Sequence, residues 1–194
     1  MAGVLNLKKN DILDLTKRDP SLNRLRLCAG WDVATKGIFG IFKQDFDLDL
    51  SAILLDQNGK LLKQNGIIYY GNLKGTGLFL HGDNLTGEGD GDDEMISISL
   101  NNIPDNCFKI IFAVTIYEGI ERNQSFAKVK NAYVRLLNED KNHEEICRYN
   151  LTEAGGDNTA IVFAELNKIG NEWSFKAVGD LFRGSLQTLT NRFK

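Results

Sequence analysis

Residues 45–50 alternate strictly between acid and hydrophobe, Asp45-Phe46-Asp47-Leu48-Asp49-Leu50. Side chains on a strand point to opposite faces with period two, so the three aspartates share one face and Phe46, Leu48 and Leu50 the other. From Ser51 to Leu55 both faces turn apolar, which marks a central strand with one acidic end. The same period recurs in Arg24-Leu25-Arg26-Leu27 and in residues 95–100, where Ile96, Ile98 and Leu100 share a face. Further strands are predicted as two short ones within 3–16 and over 67–70, 108–118, 131–137, 145–151, 160–166 and 172–178. The 108–118 run is the longest apolar one and belongs at a sheet centre. Asp56-Gln57-Asn58-Gly59 is a turn that favours a hairpin. A short helix is predicted over 121–128, and a helical stripe passes through Leu181, Leu186 and Leu189. Many short strands separated by turn signals predict a mainly β chain: a two-sheet β-sandwich with short helices and acidic loops at one end. With 194 residues, no linker and no repeat, the expectation is a single domain over residues 1–194.

The second constraint is the segment His81-Gly-Asp-Asn-Leu-Thr-Gly-Glu-Gly-Asp-Gly-Asp-Asp-Glu94. Asp83, Glu88, Asp90, Asp92, Asp93 and Glu94 put six carboxylates into twelve residues with no Lys or Arg among them. Gly82, Gly87, Gly89 and Gly91 interleave, and glycine permits the tight backbone turns that let oxygens converge. Two carboxylates about 6 Å apart repel by roughly 3 kcal/mol at an effective dielectric near 20. A hard divalent cation removes that cost. Carboxylate, amide and carbonyl oxygens suit Ca²⁺, with Mg²⁺ or Mn²⁺ behind it, and argue against zinc or copper. Asp83 and Glu94 fall at positions 1 and 12 of an EF-hand spacing, but position 6 is Glu88 where glycine is needed, and the flanks read as strands. The site therefore needs ligands from elsewhere, and the aspartates of 45–49 are the natural source.

Bulk properties exclude several classes. The net charge of −3 gives no general attraction to nucleic acid or anionic lipid. Cys28, Cys107 and Cys147 are odd in number and widely spaced, without a disulfide framework or zinc spacing, which points to a reducing cytoplasm and to buried, inert thiols. No stretch has signal-peptide or membrane-spanning character. No G-x-S-x-G, Walker A or dinucleotide fingerprint is present.

Residues 82–94 resemble the signature of the TerD family, bacterial tellurium-resistance and stress-response proteins. Gly30-Trp31-Asp32, residues 44–49, Tyr70-Gly71-Asn72-Leu73-Lys74, residues 110–116, Gln124-Ser125-Phe126, residues 148–153 and residues 173–179 agree in the same order. The resemblance implies a two-sheet β-sandwich with two Ca²⁺ ions at the acidic end. It also implies a role in resistance to tellurite, phage, colicins or DNA damage, alongside other stress-response and tellurium-resistance proteins of the same system, with peripheral association to a membrane complex as one setting. The expected ligand set is Asp45, Asp47, Asp83, Asp90, Asp92, Asp93 and Glu94, with Asn72, Asn84 and Glu88 as additions and Gly91 offering a carbonyl. Asp32 is either a ligand or a strand-end cap, and Asp49 orients a neighbour. Adjacent Asp92 and Asp93 point opposite ways in an extended segment, so they serve different ions or one supports the other's site. The expected function is a non-enzymatic calcium module whose metal-organised loops form a structural or partner-binding surface. The alternative is a divalent-metal phosphoesterase or nucleotide hydrolase built on the same carboxylates.

Overall fold

The computed structural model describes residues 4–33, 46–81 and 91–194. In chain order the strands are β1 (Leu5–Leu7), β2 (Ile12–Asp14), β3 (Arg24–Val33), β4 (Leu48–Leu55), β5 (Ile67–Ile68), β6 (Lys74–Gly75), β7 (Leu78–His81), β8 (Glu94–Ser99), β9 (Lys109–Ile116), β10 (Val129–Asn138), β11 (Glu144–Asn150), β12 (Ala160–Ile169) and β13 (Glu172–Phe182), followed by helix α1 (Leu186–Thr190). Seven strands form one sheet in the order β1-β11-β10-β3-β8-β7-β6, and six form the other in the order β2-β13-β12-β9-β4-β5. Neighbours are antiparallel except β1 and β11, which run parallel. The expected two-sheet sandwich is thus the observed fold.

The alternation of each strand decides its layer. Leu27 of β3, Ile96 of β8 and Val134 of β10 meet Leu50 of β4, Phe112 of β9 and Phe163 of β12 in one core between the sheets. On β3 the intervening Arg24 and Arg26 face outward, giving a half-solvated antiparallel face. β9 is apolar on both faces for a separate reason. Ile111 and Ala113 point away from the main core and join Ile53, Leu55, Val162 and Val178 in a second cluster that Leu189 of α1 covers. That lid explains why β4 loses its alternation toward its end. Burying a Leu side chain contributes about 1.5–3 kcal/mol, and Leu189 is fully enclosed, with Leu186 and Phe193 packed beside it. α1 begins on a capping box, in which the Ser185 hydroxyl accepts from Thr188 N–H and the Thr188 hydroxyl accepts from Ser185 N–H. Among the described residues no helix is long and apolar enough to cross a membrane.

Three local expectations change. Residues 121–128 hold turns and a single 3-10 turn, Phe126–Lys128, because Glu118 and Asn123 take positive φ (49° and 52°) and reverse the chain. The predicted strand 67–70 stops at Ile68, and Tyr69 and Asn72 then exchange backbone hydrogen bonds of 3.1 and 2.8 Å across a turn. The C-terminal helical stripe is shorter than its periodicity suggested, since β13 runs on to Phe182.

β12 and β13 slip register between Val162 and Ala164, opposite Gly179, which has φ of +68°. A β-carbon there would collide with the Tyr149 hydroxyl. Gly170 has a similar φ of +61° but open space around it. Gly179→Ala is therefore expected to cost clearly more than Gly170→Ala, about 3 kcal/mol against about 1, combining left-handed backbone strain with the steric clash. Thermal unfolding of the two variants checks this, with equal losses contradicting it.

Candidate metal centre

Four strand ends gather at one end of the sandwich. Ala29 near the end of β3 pairs with Glu94 at the start of β8, and His81 at the end of β7 pairs with Met95. β4 joins them from the other sheet, because Leu50 N–H donates to Glu94 Oε2 at 2.5 Å. The chain thus enters and leaves residues 34–45 and 82–90 at this end. The expected ligands Asp45, Asp83, Asn84, Glu88 and Asp90 lie outside the described residues. The rest can be placed individually.

Glu94 continues the inward series of Ile96 and Ile98 and is 2% exposed. Its carboxylate satisfies a β4 backbone donor beyond the short β5 pairing, which reaches only Ala52 and Ile53. Asp93 is also buried, and its Oδ2 accepts from Trp31 N–H at 2.8 Å. Burial pushes the Asp93 carboxyl above its ordinary pKa; the Trp31 N–H works against this, while the negative charges of Asp32 and Asp92 add to it. Asp32 is exposed on the outer face of β3, where Asn131 Nδ2 donates to it at 2.6 Å. Asp47 is partly buried just before β4, and Asp49 is buried within it, on the face opposite Leu48 and Leu50. Gly91 is exposed with φ of +127°. Asn72 is set apart: its amide donates to Ile67 O at 2.7 Å within the β5 turn.

Asp92, in the bend that precedes β8, turns to the outer face of the sheet. It meets a basic partner that the sequence reading had not singled out. Arg135 Nε and an η nitrogen lie 2.9 and 2.7 Å from its two oxygens, and the Tyr133 hydroxyl donates at 3.0 Å. Tyr133 reaches it by lying over Gly30, where a β-carbon would come within 2.5 Å of the ring. Arg135 also binds Glu145 at 2.9 Å, and Arg148 stacks 4.2 Å above the Tyr133 ring. Burial acts to raise the Asp92 pKa, but the hydrogen bonds from Arg135, Cys28 and Tyr133 outweigh it and hold the carboxyl below its ordinary value. Alternation over 131–137 puts Tyr133 and Arg135 on one face; their meeting with residue 92 depends on long-range strand order.

His81 shares a 2.7 Å hydrogen bond with Ser97, which donates in turn to Glu139. All three cysteines are buried and free of disulfides. Burial pushes the thiols of Cys107 and Cys147 up to about 11 and about 12, so they are protonated and poorly nucleophilic at neutral pH. Among the described residues no three His, Cys, Asp or Glu side chains come close enough together to hold an ion. Apart from His81, whose ring nitrogen is engaged by Ser97, the described donors that edge the two acidic segments are oxygens, the chemistry that a hard cation takes.

The depressed Asp92 pKa has a signed consequence. A carboxylate whose folded pKa lies below its unfolded value contributes stability above the unfolded pKa, about 4, and loses it as pH falls through the folded value. Asp92→Asn is expected to lower stability by about 1–3 kcal/mol at pH 7, with the gap to the parent protein closing below about pH 4. A gap that is constant with pH in denaturant titrations would contradict the Asp92–Arg135 account.

A model of the TerD domain matches residues 3–193. Tellurium resistance protein TerD of Serratia marcescens is 43% identical over 192 residues, spanning 97% of this chain and 96% of the relative. General stress protein 16U of Bacillus subtilis (strain 168) is 41% identical over 191 residues, again spanning 97% and 96%. A crystal structure of a TerD homologue from Streptomyces coelicolor A3(2) superposes with a TM-score of 0.68 over 88% of this chain and 96% of the other, at 17% identity, which speaks to the fold alone. The domain match over nearly the whole chain and these relatives lead to one assignment: the chain belongs to the TerD family.

Proposed function

We propose that this chain is a cytoplasmic Ca²⁺-binding stress-response protein without enzymatic activity, whose ions organise the acidic end of the sandwich into a partner-binding surface. Two ions are held there by Asp45, Asp47, Asp83, Asp90, Asp93 and Glu94, with Asn84, Glu88, the Gly91 carbonyl and Asp32 at the margin. Asp92 supports the site through Arg135, and Asn72 through its turn. The partners are other stress-response and tellurium-resistance proteins of the same system. The names of its relatives support the stress role. The observation that carries the metal reading is the convergence of four strand ends, with Asp47, Asp93 and Glu94 at the roots of two acid-rich segments. Buried like charges at that point favour a divalent cation, because each carboxylate otherwise pays for desolvation and mutual repulsion.

A cation that binds only the folded state stabilises it by RT ln(1 + [L]/Kd), about 2.7 kcal/mol at a hundredfold excess over Kd. The metal-stripped protein is expected to gain roughly 5–10 °C in melting temperature with Ca²⁺ and much less with Mg²⁺. Asp90→Ala is expected to lose Ca²⁺ affinity and this gain together, whereas Asp92→Asn lowers the melting temperature with and without Ca²⁺. An Asp90→Ala protein that still binds and is still stabilised normally would sink the proposal. Comparable stabilisation by Mg²⁺ or Mn²⁺, together with turnover of a phosphoester, would favour the hydrolase instead.

A further inference from the structure

On one side of the sandwich both sheets end in three-residue edge strands, β1 of the first and β2 of the second. A turn at Lys8–Asp11 joins them, closed by Asp11 N–H donating to Lys8 O at 2.9 Å. Beside these short edges lies a cavity of about 420 Å³. Leu5, Leu13, Leu15, Leu22 and Ile146 form its apolar wall. No aromatic ring is among its described lining residues, so the wall suits an aliphatic chain and offers no face for stacking.

The polar lining divides into groups that are already satisfied and one that is not. Lys141 Nζ lies 2.7 Å from Asp19, which also accepts from the Ser21 hydroxyl at 2.6 Å. Glu145 is held by Arg135 at 2.9 Å and by Arg148 at 3.1 Å. Asp14, Arg18 and Glu144 are exposed and of mixed sign, so solvent screens them and they select neither an anion nor a cation. Asn138, the last residue of β10, is different, being only 4% exposed. Its Oδ1 accepts from Asp140 N–H at 2.9 Å, while its Nδ2 makes no hydrogen bond among the described residues. A buried amide N–H without an acceptor is costly, and a ligand oxygen relieves that cost. A mostly apolar cavity of this size with one placed polar group has the makeup of a small-molecule site. What fits is an aliphatic body carrying a neutral hydrogen-bond acceptor.

We infer that this cavity binds a neutral aliphatic carbonyl compound of the amide class, with its chain against the leucines and its oxygen on Asn138 Nδ2. The inference stands apart from the calcium proposal, since none of the residues lining the cavity is an expected metal ligand. Leucine and isoleucine methyl resonances are followed by NMR in saturating Ca²⁺ while N,N-dimethyloctanamide, octanoate or octylammonium is added below its micellar range. The three probes share one chain length and differ in the head. The amide is expected to give saturable shifts of the Leu13, Leu22 and Ile146 methyls and to bind about tenfold tighter than either ion. Asn138→Asp keeps the oxygen that caps Asp140 and removes the donor, and is expected to weaken amide binding about tenfold. Ile146→Phe, at a half-buried position, fills part of the cavity and is expected to weaken it as well. Absence of saturable shifts with the amide, an ion that binds as tightly, or unchanged amide affinity in either variant would overturn the inference.

Discussion

One hydrogen bond, from Leu50 N–H to the Glu94 carboxylate, ties the two sheets together at the acidic end of the sandwich. Glu94 sits on the core face of its strand, where Ile96 and Ile98 follow it inward. A carboxylate is costly there unless hydrogen-bonded, and a backbone donor of β4 beyond the reach of β5 needs an acceptor. Each answers the other's deficit. The described strand ends of β4 and β8 are thereby fixed relative to one another.

The three consecutive acids at and just before β8 meet different fates, because β8 begins only at Glu94 and the bend over residues 91–93 departs from strict alternation. Glu94 and Asp93 accept backbone N–H groups at the sheet end, whereas Asp92 turns to the outer face and is neutralised by Arg135 and Tyr133. The Arg135 fork also holds Glu145, and Glu139 bridges Arg26 and Ser97 farther along the same face. Exposed ion pairs contribute little individually, about 0–1 kcal/mol. The Asp92 pair is better placed, since the carboxylate is only 10% exposed and the guanidinium engages both of its oxygens. It braces the segment that leads into β8 and so couples the outer face of one sheet to the acidic end.

Much of this architecture is written as period-two alternation. The pattern of 45–50 assigned Leu48 and Leu50 to the core, and the apolar run 108–118 marked the central β9. Alternation in 95–100, carried back one step, places Glu94 inward. What local pattern does not contain is which distant strands become neighbours. Arg135 finds Asp92 only because β10 lies beside β3 and β3 beside β8. The turn at Tyr69–Asn72 and the reversal at Glu118–Asn123 broke a predicted strand and a predicted helix through positive φ values and paired backbone groups, which hydrophobic periodicity does not report. Of the acids expected at the metal centre, those on strands or strand ends are placed by the fold, and the fold brings Asp93 and Glu94 to the edge of both acidic segments.

The central claim is that this end of the sandwich is a calcium site, and calorimetric titration of the metal-stripped protein measures it most directly. The account predicts saturable binding of two Ca²⁺ ions per chain, with Mg²⁺ failing to compete at equal concentration. No heat of Ca²⁺ binding, or binding that Mg²⁺ displaces equally well, would contradict it and leave the acidic segments as solvated turns or as a different metal's site.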